Sequence, residues 1–174
     1  MPRRFDFCPL MSCIAISWMA ASCVSDEVYH KSAVVSAEAW TAADTLSFPL
    51  CVADSSESEG TIRTQTPYEV HLSVRHSSAT RHDELRMLLC AERMDSLGRP
   101  DSTLWRRRVT APLLDGSGAW AGGTWGSLVQ RDFVVTPSQL VFPAEGDYRM
   151  VLVPEAVGGE PYGGIESVGL SLRR

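Results

Sequence analysis

Hydrophobic and polar residues alternate along much of the chain, which is the pattern of strands that are buried on one face. One strand is predicted to bury Tyr68, Val70, Leu72 and Val74. Another, near the C-terminus, is predicted to bury Val168, Leu170 and Leu172. Further strands are predicted at 28–35, 45–52, 103–110, 133–135 and 148–153.

Clusters of turn-forming residues separate these strands. They fall at 54–60, 96–101, 115–118, 144–147 and 158–164. Many short strands at this spacing are typical of two sheets packed face to face. We therefore expect an all-β fold, a jelly-roll-like β-sandwich that forms a single domain.

The segment His82–Met94 is ambiguous. It is full of residues that favour a helix, so propensity alone predicts a helix there. Leu85, Met87 and Leu89 nevertheless alternate with other residues, as in a strand. Because propensity is a weak guide in an all-β setting, we predict a strand, and we expect it to form a hairpin with the strand at 68–76.

The N-terminal segment has the organisation of a secretory signal peptide. Arg3 and Arg4 precede a mostly apolar stretch at 8–21. That stretch is shorter than the roughly 20 apolar residues of a permanent transmembrane helix, and it ends in small residues. The sequence Ala-Ala-Ser-Cys at 20–23 resembles a lipobox, in which the cysteine is acylated and becomes the mature N-terminus. We therefore predict lipid attachment at Cys23.

This processing divides the chain into three parts. We predict a lipoprotein signal peptide at 1–22, a lipidated anchor with a short tether at 23–27, and the β-sandwich domain at 28–174. Export places the domain in an oxidising compartment. Asp26 and Glu27 follow the anchor, and such acidic residues serve either as a surface-sorting signal or as a solvated tether. The leaflet that the domain faces stays open.

Composition and motifs narrow the function further. The chain has 174 residues and a net charge of -5, so it lacks the basic surface that binds phosphate backbones and we expect no nucleic-acid partner. The signatures of serine hydrolases, zinc proteases, nucleotide-binding loops and dinucleotide-binding folds are missing from the sequence. His71 and His76 are an odd number of positions apart on one strand, which predicts opposite faces. We expect no catalytic residues, metal or cofactor.

Cys51 and Cys90 are the cysteines of the domain that follows the anchor. They could form a disulfide in an oxidising compartment, which would close a loop of about 40 residues and contribute roughly 3 to 4 kcal/mol. Alternatively, both are small buried apolar residues on different strands, because each lies in an apolar run. The sequence leaves both interpretations open.

Two tryptophans, Trp120 and Trp125, lie in the glycine-rich stretch GAWAGGTWG. If both are displayed, they would form a platform on which sugar rings stack, and the protein would be a carbohydrate-binding module of the cell surface. Packing against the core is the commoner use of tryptophan. The basic run at 106–108 is predicted to place Arg106 and Arg108 together on the solvent side of a strand.

Several segments together resemble the GldH family of gliding-motility lipoproteins. The resemblance is carried by Val28-Tyr29, Trp40, Asp44-Thr45-Leu46, Phe48, Val74-Arg75-His76, the loop at 115–122, Phe142-Pro143, the segment at 146–150 and the closing strand at 164–170. The aromatic-rich segment expected after His76 is here replaced by Ser77-Ser78-Ala79-Thr80, and Cys51 and Cys90 are not features of the family.

The resemblance implies a non-enzymatic accessory lipoprotein of the gliding and type IX secretion apparatus of Bacteroidota, including members that do not glide. It implies an outer-membrane location, with the membrane and other envelope proteins of that apparatus as partners. The family has no established catalytic residues, so the anchor alone carries over, onto Cys23.

Overall fold

The structure is a computed structural model that describes residues 26–36, 38–54, 61–135 and 139–174. The predicted signal peptide at 1–22 and the anchor Cys23 lie outside these residues. The described strands are β1 (Glu27–Val34), β2 (Leu46–Val52), β3 (Pro67–Ser77), β4 (Glu84–Met94), β5 (Pro100–Pro112), β6 (Gly123–Trp125), β7 (Leu128–Val134), β8 (Leu140–Val141), β9 (Gly146–Pro154) and β10 (Ile165–Arg173). A short 3-10 turn covers Val157–Gly159.

The strands form two antiparallel sheets. Sheet 1 has the order β1-β10-β3-β7-β6, with β8 also paired to β3, and sheet 2 has the order β2-β9-β4-β5. The pairs are nested along the chain, since β1 pairs with β10, β2 with β9, β3 with β7 and β4 with β5. Successive pairs alternate between the sheets, as in a jelly roll. The predicted all-β sandwich is confirmed.

Strand β3 confirms that the alternating pattern predicts which side chains are buried. The four side chains predicted to face inward from it are all buried: Tyr68, Val70, Leu72 and Val74. On β10, the predicted inward residues are also buried, and so are Gly169 and Ser171 between them. Strand β10 lies between β1 and β3, so its outward side chains are shielded by both neighbours.

Strand β4 confirms that the segment after His82 is a strand, but its predicted partner is wrong. It pairs with β5 and β9 in sheet 2, whereas β3 belongs to sheet 1. The chain crosses between the sheets in the connection at 78–83. Both strands bury alternate side chains, and this pattern specifies a buried face without specifying a neighbour.

The core between the sheets is rich in aromatic side chains. Tyr148 packs edge to face against Phe142 at a centroid distance of 4.9 Å. Trp40 packs near Tyr162 and is anchored by its indole N–H, which donates to the carbonyl of Asp44 at 3.0 Å. These contacts fill the sandwich and attach the segments that precede β2 and β10.

The two ends of the sandwich differ in what they carry. Strand β1 runs from Glu27 to Val34, and the antiparallel pairing places Arg173 beside Glu27. We call this the Glu27 end. The opposite, Val34 end carries the connection at 78–83 and the segment at 155–164, because β3 and β9 both finish there.

Candidate functional site

A cleft of about 510 Å³ opens at the Val34 end, between the connection at 78–83 and the segment at 160–164. We call it the end cleft. A neighbouring cavity of about 470 Å³ shares Arg81, His82 and Glu160 with it. The two cavities therefore form one continuous depression across the tip of the sandwich.

Backbone contacts hold the walls of the end cleft together. The Thr80 hydroxyl donates to the carbonyl of Gly163 at 2.7 Å, and the Ser77 amide donates to the carbonyl of Gly164 at 2.7 Å. Gly164 has a φ of +78°, and a Cβ added there would lie 3.1 Å from the Cβ of Thr80. Glycine at this position thus allows the two segments to approach closely.

His82 lies on the wall of the end cleft and is fixed from two sides. Its Nε2 accepts a hydrogen bond from the Gly163 amide at 3.2 Å, so the neutral ring carries its proton on Nδ1. The ring meets Tyr162 edge to face at 5.0 Å. The Tyr162 hydroxyl in turn accepts from the Arg86 amide at 2.9 Å and donates to the Glu155 carbonyl at 3.2 Å.

The rim of the end cleft carries charges of both signs. Arg81, Glu38 and Glu160 line the cleft and are exposed. Among the residues that the structure describes, none forms an ion pair with these three side chains. The rim therefore presents one cationic and two anionic groups to an incoming molecule.

The two cysteines of the domain are free thiols. Cys51 pairs with Asp147 of β9, and Cys90 pairs with Val151 on the other side of β9. Two strand spacings alone amount to about 10 Å, beyond the roughly 7 Å between Cα atoms that a disulfide can bridge. Of the two interpretations that the sequence leaves open, the disulfide is therefore not the one that this structure contains. Cys51 is also exposed, so the alternative of two buried cysteines holds only for Cys90.

Cys90 is covered on the outer side of sheet 2. Its cross-strand neighbour is Arg106, and the next outward pair is Leu88 with Arg108. Burial raises the pKa of the Cys90 thiol, an effect that Arg106 partly opposes. The register confirms that Arg106 and Arg108 share the solvent side of β5, where Arg108 pairs with Glu155 at 3.1 Å.

Trp120 lies in the loop at 113–122, which crosses from sheet 2 to sheet 1 and which we call the crossing loop. It is half-buried and packs against the core, and its ring meets His76 edge to face at 4.9 Å. The loop is closed by an isolated bridge between Leu114 and Trp120 and by Arg131, whose guanidinium donates to the carbonyls of Pro112 and Leu114. Trp120 is thus a packing residue.

Trp125 lies on the outer face of sheet 1, whereas Trp120 packs against the core side. Trp125 pairs with Leu128, which pairs with the outward-facing Ser77, so its side chain lies on the outer face of sheet 1. It is 62% exposed. The two indoles therefore do not form the shared platform that the sequence suggested, and Trp125 alone is displayed.

The histidines of β3 face opposite sides, as predicted. His76 is buried, with its Nδ1–H donating to the carbonyl of Ser77 at 3.0 Å. His71 lies on the outer side beside Glu69, at 3.2 Å. Within the described ranges, no three His, Cys, Asp or Glu side chains are placed so that they could hold a metal ion.

The family model of GldH lipoproteins matches residues 27–172, which is almost the whole of the described sandwich. The chain belongs to the GldH lipoprotein family. It is therefore a gliding-motility-associated lipoprotein of the cell envelope, from a family that is not known for enzymes. In the described part of the GldH-family chain, no helix has the length and apolar character needed to cross a membrane.

Two further comparisons accompany the family match. None of the curated proteins matches the chain. Among solved structures, the chain is similar to the crystal structure of the infectious bursal disease virus VP2 subviral particle, with 14% identity and a TM-score of 0.30. The match covers 85% of this chain and 31% of that chain, so this GldH-family chain spans about a third of the viral protein's length.

The end cleft is the feature that sequence reasoning missed. No local pattern in the sequence singles out Glu38, Arg81 or Glu160, and His82 stands out only as the start of the ambiguous segment His82–Met94. The predicted turn cluster at 158–164 was the available signal. Nothing in the local pattern indicated that it meets residues 80–82, because that contact joins two segments about 80 positions apart and depends on the sandwich topology.

Proposed function

We propose that the chain is a membrane-anchored adaptor, lipidated at Cys23 after removal of residues 1–22. It is retained on the outer membrane as a non-enzymatic accessory component of the gliding-motility and type IX secretion apparatus. The family match supports the association with gliding motility. The geometry of the sandwich supports the adaptor role, because the anchor and the end cleft belong to opposite ends of the domain.

The start of β1 is the observation that carries this proposal. β1 begins at Glu27, only four positions after Cys23. Four extended residues span at most about 14 Å, so a lipid on Cys23 holds the Glu27 end close to the bilayer. The eight residues of β1 then separate this end from the Val34 end by roughly 26 Å. The end cleft consequently opens away from the membrane.

The end cleft suits the capture of a protein partner. Its walls are held by hydrogen bonds from Thr80 to Gly163 and from Ser77 to Gly164, so little ordering is needed when a partner binds. Arg81 and Glu160 offer charges of opposite sign on the rim, which select a partner with the complementary arrangement. An anchored domain of this kind holds an envelope protein at a set distance from the bilayer.

The anchor is tested by cell fractionation of the full chain with Cys23→Ala, with Cys51→Ala as the matched control. We expect Cys23→Ala to lose incorporation of labelled palmitate and to leave the membrane fraction, whereas Cys51→Ala stays membrane-bound. Membrane retention of Cys23→Ala would contradict the anchor.

The adaptor role is tested by placing a photo-crosslinking amino acid at position 160, on the rim of the end cleft. A second copy carries it at position 97, which is exposed at the Glu27 end. We expect a specific envelope protein to crosslink from 160 and not from 97, and deletion of the gene to impair gliding or type IX secretion. Normal motility and secretion in the deletion strain would argue against the proposal.

A further inference from the structure

The outer face of sheet 1 is polar at its centre, where small residues form its floor, and it carries the exposed side chains of Val34 and Val134 at its margins. Strand pairing places its outward side chains in rows across five strands. These outward residues include His30, Ser32 and Val34 of β1, Ser167, Gly169 and Ser171 of β10, His71, Ser73 and Arg75 of β3, Leu128, Gln130, Asp132 and Val134 of β7, and Trp125 of β6. We call this surface the outer face.

Trp125 forms an aromatic platform at one edge of the outer face. A Cβ added to Gly123 would lie 2.7 Å from the Cη2 atom of Trp125, so the indole ring lies flat over the glycine of its own strand. The other side of the ring is open to solvent. Beside it, Gln130 accepts a hydrogen bond from the Arg75 guanidinium at 3.1 Å, which fixes two planar polar groups next to the ring.

A shallow trough of about 110 Å³ lies further along the outer face, where β10 and β3 meet. Gly169, Ser73 and Ser171 are among its lining residues. Ser171 is only 6% exposed, yet none of the described residues makes a hydrogen bond with its hydroxyl. Its oxygen is open to the trough, since it is not among the buried polar atoms of the described residues that lack a partner, and a polar ligand in the trough can contact it.

We propose that the outer face binds an oligosaccharide. Aromatic rings bind the apolar faces of sugar rings, and nearby polar side chains satisfy the sugar hydroxyls. Trp125 supplies the ring, while Gln130, Asp132 and Ser171 supply donors and acceptors. Trp125 and Ser171 are separated by three strand spacings, or at least about 14 Å, so a chain of several sugars is needed to reach both.

The composition of the outer face favours a neutral saccharide over a protein. Protein interfaces are centred on clustered apolar and aromatic side chains. The centre of this face is instead formed by serine and glycine, and its exposed valines, Val34 and Val134, lie on separate strands at its margins. The trough is lined by Glu27 and Asp132 and also by Arg173, so opposite charges are mixed within a few ångströms. This binding is separate from the adaptor role, which uses the end cleft.

The test is binding of the full-length lipoprotein in detergent to an array of cello-, xylo-, manno- and chito-oligosaccharides and solubilised peptidoglycan fragments. The sugar that binds best is then titrated by calorimetry. We expect Trp125→Ala to weaken the affinity at least about tenfold, and Ser171→Val to weaken it as well. Leu97→Ala removes another exposed apolar side chain, at the Glu27 end, and is expected to bind like the parent.

A second measurement guards against misfolded variants. The indole N–H signal of Trp125, assigned by its loss in Trp125→Ala, should shift in the NMR spectrum of the parent protein when the sugar is added. Absence of binding to every saccharide on the array overturns the proposal, and so does unchanged affinity of Trp125→Ala. Capture of a protein through Trp125 without any sugar binding would likewise overturn it.

Discussion

His76 and Trp120 meet edge to face at 4.9 Å, although one lies in β3 and the other in the loop that crosses between the sheets. His76 is fully buried, and its Nε2 has no hydrogen-bond partner among the described residues. The Trp120 indole therefore packs over a buried histidine whose Nε2 is not hydrogen-bonded within the described residues. Their contact fastens the crossing loop onto sheet 1.

Trp120→Ala is expected to destabilise the domain. Removal of the half-buried ring uncovers His76 and leaves a cavity beside the core, which should lower the free energy of unfolding by about 3 kcal/mol. Trp125→Ala is the matched control, since its exposed ring should change stability by less than about 0.5 kcal/mol. Urea unfolding followed by circular dichroism measures both. If both substitutions lowered the free energy of unfolding equally, Trp120 would not be a packing residue in contrast to an exposed Trp125.

Gly122→Ala is expected to disturb the start of β6. Gly122 has a φ of +118°, and an added Cβ would lie 2.1 Å from the carbonyl oxygen of Gln130. Both the backbone strain and the clash should destabilise the domain, by about 3 kcal/mol. Gly116 lies in the same loop with nothing within 4 Å of its added Cβ, so Gly116→Ala should leave the melting temperature nearly unchanged. If both variants lost a similar amount of stability, the cause would be reduced flexibility of the loop and not the clash at Gly122.

The two thiols of the folded domain should differ in reactivity. Cys51 is exposed, whereas Cys90 is buried and burial raises its pKa, so less of it is the reactive thiolate at neutral pH. Under native conditions, Cys51 should react rapidly with a maleimide and Cys90 slowly, and both should react at once in denaturant. Cys51→Ser should remove the fast phase. An oxidised chain that resists labelling at both positions would show that a disulfide forms after all.

Hydrogen bonds within the crossing loop should make the carboxyl group of Asp115 unusually acidic. The Ser117 hydroxyl is the main cause, followed by the amides of Ser117 and Ala119, and together they hold the pKa of Asp115 below its ordinary value. A lowered pKa in the folded state stabilises the fold above about pH 4, and this contribution is lost as the pH falls further. Carboxyl NMR titration should therefore report a low pKa for Asp115.

Asp95 provides an independent control for this titration. Its pKa is also lowered, mainly by a hydrogen bond from the Arg99 amide in the hairpin between β4 and β5. Ser117→Ala should raise the pKa of Asp115 towards its ordinary value and leave that of Asp95 unchanged. A pKa of Asp115 that does not respond to Ser117→Ala would rule out the hydroxyl as the main cause.

The local pattern of apolar and polar residues was sufficient to predict where β3 and β4 lie and which of their side chains are buried. The alternation from Tyr68 to Val74 predicted the inward face of β3, and a strand was preferred over a helix at Leu85–Leu89 for the same reason. The prediction succeeds because side chains in a strand point alternately to the two faces of a sheet. A strand that is buried on one face therefore has apolar residues at every second position.

Pairing and proximity were decided by the tertiary structure. Alternation does not state which strand lies beside which, so the assignment of β3 and β4 to different sheets could not be foreseen. The separation of Cys51 from Cys90 follows from β9 lying between them. Trp120 and Trp125 are only a few positions apart, yet the crossing loop turns one inward and β6 displays the other.

The sequence by itself determined that this is an all-β domain of the GldH lipoprotein family, and it identified Cys23 as the predicted anchor. The tertiary structure alone brought Arg81 and His82 to Glu160 in the end cleft, and Trp125 into one surface with Ser171. The physical reason is that the burial of each strand depends on its own alternating residues, which can be read from a short stretch of sequence. A binding surface depends on contacts between distant segments, which form only when both sheets are assembled.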